Sequence, residues 1–368
     1  MADAGITMVW LPPPSQSAAA EGYLPNEWYD LDASAYGDQA GLQAAIAALH
    51  ARGVRVIADI VVNHRVGTTD WADFTAPAFA DNADAVTRDD EWGQGTGGTD
   101  TGSGFHAARD LDHADASVHA EILKWLRWLR ATIGFDGWRF DYVRGFHGRF
   151  VGAYNRATQP AFSVGEIWPD IPDGSYDAMG AAVDAHRQII IDWIDATGGT
   201  SAAFDFTTKW QLMLAVERTE FGRMGLVPGT IGWWPERSVT FLDNHDTGPS
   251  PGGGQTHWPF PAHRLGLGYA YLLTHPGTPT VYWPHLFGTE AEMRETLTTL
   301  LRLRREQGIT SRSTVQVQMA RDEVYAAVID GTTAIAIGPG DWSPKDTGWA
   351  LAAQGLDWAV WTRSASGR

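Results

Sequence analysis

The chain has 368 residues, no cysteine and a net charge of −17, from 27 basic and 44 acidic side chains. That length suits about two domains, or one α/β barrel with an appendage, and supports a core without covalent staples. The missing cysteines exclude disulfides, thiolate metal sites and cysteine nucleophiles, and the acidic surface argues against binding a phosphate backbone.

The apolar runs, such as Val54 to Val62, carry charges and fall short of the ~20 residues that cross a membrane. Met1 to Pro14 lacks the basic start of a signal peptide and leads straight into a strand-like segment. With nothing to suggest an oligomer, a monomer is expected. The 18 tryptophans suit flat apolar partners such as sugar rings, though counting alone favours core packing.

Taken in order, short apolar strands alternate with helical patterns, as in parallel β/α architecture. Ile6 to Leu11 reads as a strand. Leu42, Ile46 and Leu49 are spaced as a helix, with Gly53 as its stop. Val54 to Val62 reads as a buried parallel strand. A long irregular stretch follows, from about His64 to Asp112, with Gly93 to Gly98 and Gly102 to Gly104 inside it. A loop of that length within a barrel is usually functional. Val118, Ile122, Trp125, Leu126, Leu129 and Ile133 then form one helix face. Further strands are expected to end at Asp141, Glu166, Phe206, Asp243 and Trp283, with a last helix over Met293 to Gln307. After Gly308 the pattern changes to short strands at Val315–Met319, Val324–Ile329, Ala334–Ile337 and Trp358–Trp361, a small antiparallel sheet.

Polar residues cluster at the expected strand ends: Asn63-His64, Arg139 and Asp141, Glu166, and Asn244-His245-Asp246. In a β/α barrel these ends converge on the face that holds the active site. Asp141, Glu166 and Asp246 would then meet there, and two carboxylates at such a mouth are the minimum for glycoside hydrolysis. Arg139, two residues before Asp141, projects to the same side, where its charge is expected to keep Asp141 ionised. Each piece alone is weak, because a strand-end Asp is usually a cap or turn residue. The ordered conjunction is what carries weight.

With these stretches in place the chain resembles the α-amylases of family 13 glycoside hydrolases, most closely the plant type. The matching motifs are Trp10-Leu11-Pro12-Pro13-Pro14-Ser15, Glu21-Gly22-Tyr23-Leu24-Pro25, Ala58-Asp59-Ile60-Val61-Val62-Asn63-His64-Arg65, Gly137 to Gly145, Val164 to Trp168, Phe204 to Lys209, Gly232-Trp233-Trp234-Pro235 and Asp243 to Gly248. They run nearly end to end. The resemblance implies a (β/α)8 barrel over 1–63 and 113–307, an inserted calcium-binding domain over 64–112, and an antiparallel β-sheet domain over 308–368. It implies an endo-acting, retaining hydrolase of α-1,4-glucans such as starch, secreted or of plastid type. Asp141 would be the nucleophile, Glu166 the general acid/base, with a raised pKa, and Asp246 the residue that distorts the sugar. Tyr23, His64 and His245 would line the reacting ring, with Arg139, Trp168 and Trp258 in the cleft. Trp233-Trp234 would form a surface starch platform. Calcium would be held by Asn63, Asp100, Asp110 and the Gly145 carbonyl.

The sequence also departs from the family. The first strand and most of the first helix have no counterpart, which predicts seven strands and an open seam, and raises the expectation of a truncated chain with doubtful stability. A second calcium position near Asp90, Phe105, Ala108 and Asp110 is expected to be impaired, since Gly104 stands where the family has an aspartate. A third, around Val66 to Asp81, is expected to be absent. Pro249-Ser250-Pro251-Gly252-Gly253-Gly254 lengthens a loop of the cleft. Two alternatives stay open: a transglycosylase using the same residues with a sugar acceptor, and a catalytically inactive glucan-binding protein.

Overall fold

The structure is a computed structural model that describes residues 1–70, 72–250, 256–288 and 291–363. Seven parallel strands follow one another in chain order across one sheet. They are β1 (Met8–Leu11), β2 (Arg55–Ile60), β3 (Gly137–Phe140), β4 (Ser163–Gly165), β5 (Ala202–Phe204), β6 (Ser238–Thr240) and β7 (Thr278–Pro279). Among the described residues no pairing joins β7 to β1, so the seam is open. The sheet is nonetheless curled: Trp10 on β1 reaches Phe204 on β5 across the interior, with ring centroids 5.6 Å apart.

Helices separate the strands: α1 (Gln39–His50), α2 (Ala116–Trp128), α3 (Gly148–Thr158), α4 (Ala181–Ala196), α5 (Phe206–Arg218), α6 (Leu265–Thr274) and α7 (Ala291–Glu306). Their starts follow from the sequence. Asp38, Asp115 and Asp205 each accept a backbone N–H of the first turn, satisfying donors a helix leaves orphaned. β2 is buried along its whole length after Arg55, as a parallel strand covered on both faces must be. Among the described residues no helix is long and apolar enough to cross a membrane.

Three strand ends differ from expectation. β5 stops at Phe204, because Asp205 turns the chain and caps α5, which begins at Phe206. β6 stops at Thr240, leaving Asp243 in the loop beyond it. β7 stops at Pro279, and Trp283 opens a short helix over Trp283–Phe287.

The insert between β2 and α2 is anchored by a two-residue antiparallel ladder, His64–Arg65 against Arg109–Asp110. Arg65 is fully buried and seals its base. Its guanidinium lies 4.8 Å from the Phe74 ring centroid and 5.2 Å from that of Trp28, and it donates to the Asn26 and Pro77 carbonyls. Two glycines in the insert are sterically required: a Cβ at Gly95 would lie 2.0 Å from the Thr87 carbonyl oxygen, and one at Gly97 2.6 Å from that of Val86.

The C-terminal sheet comprises β8 (Val315–Arg321), β9 (Val324–Ile329), β10 (Thr333–Ile337), β11 (Ala350–Gly355) and β12 (Trp358–Thr362), antiparallel in the order β8-β9-β10-β12-β11. β11 escaped the sequence reading because Ala-Leu-Ala-Ala-Gln-Gly has almost no β-forming residue. One face of this sheet shares a core with α6 and α7, through residues such as Tyr271, Leu297, Leu300, Tyr325 and Ile335.

Candidate active site

β3 and β4 deliver the central group. Arg139 lies on β3 and is completely buried, and three carboxylates converge on its guanidinium. Nη1 donates to Asp59 Oδ1 at 2.8 Å and to Asp141 Oδ1 at 2.7 Å. Nη2 forms an ion pair with Glu166 Oε1 at 2.6 Å. Asp59 comes from β2, Asp141 follows β3 and Glu166 follows β4, so three neighbouring strands meet at one cation at their C-terminal ends. Asp246 arrives from the loop after β6, its Oδ2 lying 3.3 Å from His245 Nε2.

Burial dominates the electrostatics here. It pushes Glu166 up to about 7, with Arg139 opposing and Asp141 reinforcing. It raises Asp141 to about 6 against the pull of Arg139, with Asp59 adding to the rise. Asp246 is raised to about 6 by burial and by Glu166, and Asp59 to about 6 by burial. Arg139 favours the ionised form of Asp141, the direction expected of it, but burial outweighs that pull and holds the carboxyl up at about 6.

Asp59 does not stand out in the sequence, where it sits inside an apolar run. It also accepts from Tyr23 Oη at 2.7 Å and Trp10 Nε1 at 3.0 Å. Tyr23 lies parallel to His245, with centroids 5.0 Å apart and planes at 4°. Burial pushes His245 down to about 3, so it is a neutral imidazole. His64 is fully buried, bonds the Tyr23 backbone carbonyl through Nε2 at 2.8 Å and stacks on Phe105.

Trp168 is half-buried and stacks on Phe206, with centroids 4.7 Å apart. Trp258 is also half-buried and donates its Nε1–H to Tyr176 Oη at 3.2 Å. Trp233 is 46% exposed, and the Arg187 guanidinium sits 3.6 Å from its ring centroid and covers one face. Trp234 packs on the barrel core. Of the lengthened loop, 251–254 lie outside the described residues.

At the junction of insert and barrel, Asn63 Nδ2 donates to Asp110 Oδ1 at 2.9 Å, while Asn63 Oδ1 is buried with no hydrogen-bond partner among the described residues. A Cβ on Gly145 would lie 2.0 Å from that oxygen, and one on Gly102 2.5 Å from the Gly145 carbonyl oxygen. Asp100, two residues before Gly102, and Asp110 are mutually repelling acids, and burial chiefly drives Asp110 up to about 8. An orphaned amide oxygen, a glycine-lined cradle and acids held above their ordinary range form a donor set that fits a hard cation. Carboxylate oxygens of Asp90, Glu91 and Asp110 also lie within 4.8 Å of one another. Nothing local in the sequence marks Glu91. A Cβ on Gly104 would lie 1.6 Å from its Oε1, so Glu91 fills the space an aspartate there would need. Asp90 is already paired with buried Arg109 at 2.8 Å.

Comparison with known proteins agrees with this geometry. Residues 1–93 match the α-amylase catalytic domain and residues 306–362 the α-amylase C-terminal β-sheet domain. The chain is 44% identical to probable α-amylase 2 of Arabidopsis thaliana, over 98% of itself and 87% of that protein. It is 41% identical to the chloroplastic α-amylase 3 of Arabidopsis thaliana, over 99% of itself but 41% of that longer protein. The solved α-amylase of Malbranchea cinnamomea shares the fold at TM-score 0.69 and 18% identity, covering 98% of this chain and 87% of that one. Three carboxylates gathered on Arg139 at the mouth of a parallel barrel, matched along nearly the whole chain, place it in the α-amylase family, family 13 of the glycoside hydrolases, on the plant-type branch.

Proposed function

We propose that the protein is an α-amylase that cuts internal α-1,4-glucosidic bonds of starch and related glucans with retention of configuration. The observation that carries this reading is the single guanidinium of Arg139 contacting both Asp141 and Glu166. Two carboxyls bridged by one guanidinium suit the short separation of a retaining pair, about 5–5.5 Å, rather than an inverting pair with a water between.

Asp141 attacks the anomeric carbon as a carboxylate. Glu166, whose proton burial holds on to up to about pH 7, gives that proton to the leaving oxygen. It then takes a proton from water as the glycosyl–enzyme bond is hydrolysed. Asp246, from the loop after β6, holds the sugar hydroxyls as positive charge develops on the ring. Tyr23 and neutral His245 present stacked rings beside the reacting sugar, and Trp168 and Trp258 line the cleft beyond it.

Calcium fits Asn63, Asp100, Asp110 and the Gly145 carbonyl. When bound it supplies positive charge that ties the insert to the end of β2, and the chemistry stays with the carboxylates. We divide the chain into a barrel of 1–63 and 113–307, an insert of 64–112 and a C-terminal sheet domain of 308–368, and take it to act as a monomer. A secreted or plastid setting rests on the family alone; one relative is named chloroplastic.

Proton NMR of maltoheptaose digested with the calcium-loaded chain tests the proposal. Products appearing first as α-anomers support a retaining hydrolase. β-Anomers, or binding without turnover, overturn it, and transfer to added maltose in place of water would mark a transglycosylase.

A further inference from the structure

Beneath the loop that carries Asp246 lies a buried ion pair that the mechanism above does not use. Lys209 on α5 and Asp243 after β6 both have completely buried side chains, 3.1 Å apart. Lys209 Nζ also donates to the Leu242 carbonyl. The Asp243 carboxylate is a hub. It accepts from Thr247 Oγ1 at 3.2 Å and from the Phe260 backbone N–H at 3.1 and 3.2 Å, and His285 Nε2 lies 3.6 Å away.

From that hub the contacts lead to Asp246. Thr247 Oγ1 accepts the Asn244 N–H at 3.0 Å. Asn244 Oδ1 in turn accepts the N–H groups of Asp246 and Thr247, at 3.1 and 2.9 Å. Gly248 N–H closes the turn on the Asn244 carbonyl at 3.0 Å. Gly248 itself is required, since a Cβ there would lie 2.6 Å from the Asp243 Cβ. The backbone of Asp246 is thus fixed by a turn whose charged root is Asp243.

A buried pair of this kind adds little net stability over an apolar pair of the same volume. What it adds is direction, because a carboxylate fixed by several donors can hold one geometry only. We propose that Lys209 and Asp243 are positioning residues for Asp246, setting through Thr247 and Asn244 where its carboxylate meets the transition state. This inference rests on the hydrolase reading, and activity of the unaltered chain on maltoheptaose is established first. An inactive chain sinks that reading, and this one with it, before any variant is compared.

The test is a double-mutant cycle. Asp243→Asn should lower kcat by about 10- to 100-fold with KM within about twofold, the cost of a misplaced group that acts in the transition state. In an Asp246→Asn background, followed with α-maltosyl fluoride as an activated substrate, the same change should cost less than about threefold. The apolar replacement Lys209→Met with Asp243→Leu should melt near the unaltered protein yet keep the kcat defect. Should Asp243→Asn fail to fold, Thr247→Val carries the same cycle. Equal losses in both backgrounds, or full kcat in the apolar double variant, would overturn the proposal.

Discussion

The barrel mouth and the insert both bury several carboxylates, but they balance them differently. At the mouth, Asp59, Asp141 and Glu166 share Arg139, a cation built into β3. In the insert, Arg109 neutralises Asp90, while Asp100 and Asp110 have no such partner among the described residues and burial lifts Asp110 to about 8. One cluster is completed by the chain itself. The other, in the proposed reading, takes its cation from solution. The difference reflects what each region does. The mouth must keep its acids close to their working pKa values, whereas the insert has only to be held in place.

Removing the built-in cation should give the largest effect. Arg139→Met leaves three buried carboxyls with no cation and is expected to cost about 3–5 kcal/mol at neutral pH, measured by denaturant unfolding. The sign of its pH dependence is fixed. Asp59, Asp141 and Glu166 bind protons more tightly folded than unfolded. Each therefore contributes stability at low pH that is lost as pH rises through about 6 to 7. Without Arg139 that loss deepens, so the deficit should shrink on acidification. A deficit independent of pH would show that Arg139 acts by packing alone.

Chelation addresses the insert. At calcium one hundredfold above Kd, the bound ion stabilises by about 2.7 kcal/mol, which a chelator should remove as a lower Tm. Asp110→Asn should make Tm insensitive to chelator. If chelation leaves Tm unchanged in the unaltered chain, the insert is as self-sufficient as the mouth and the contrast collapses.

How much of this is legible in the sequence follows from chain distance. The acids at the strand ends stand out because each occupies a polar break after an apolar strand. Asp59 does not, because it lies within such a strand and its partner Arg139 is 80 residues away. Lys209 and Asp243 fall within the matching motifs without a role, since nothing local shows that α5 packs its lysine under the loop after β6. Glu91 reads as one more loop acid until the space beside Gly104 is known. His64 and Trp233 are recognised by motif, but burial of one and the Arg187 cover on the other are set by tertiary packing.

The self-balanced mouth also predicts a narrow pH profile. The proposed mechanism requires Asp141 ionised and Glu166 protonated, so kcat/KM should rise through about 6 and fall through about 7. Because the two acids share Arg139, these limbs belong to the pair rather than to single residues. A profile measured on maltoheptaose that stays flat well into the alkaline range would remove Glu166 from the role of acid.

The smallest expected effect falls at the border of the two schemes. Glu91 is exposed, and its carboxylate joins Asp90 and Asp110 within 4.8 Å. If Arg109 is cation enough for that group, calcium is confined to the Asn63, Asp100, Asp110 and Gly145 donors. Glu91→Gln then leaves one bound ion per chain and shifts stability by no more than about 0.5 kcal/mol, the ordinary range for a surface change. Calcium titration by calorimetry and elemental analysis of the loaded chain both read that stoichiometry. A fall from two ions to one on substitution would place a second calcium beside Arg109. The insert would then carry a built-in and a borrowed cation side by side, and the contrast with the mouth would become one of degree.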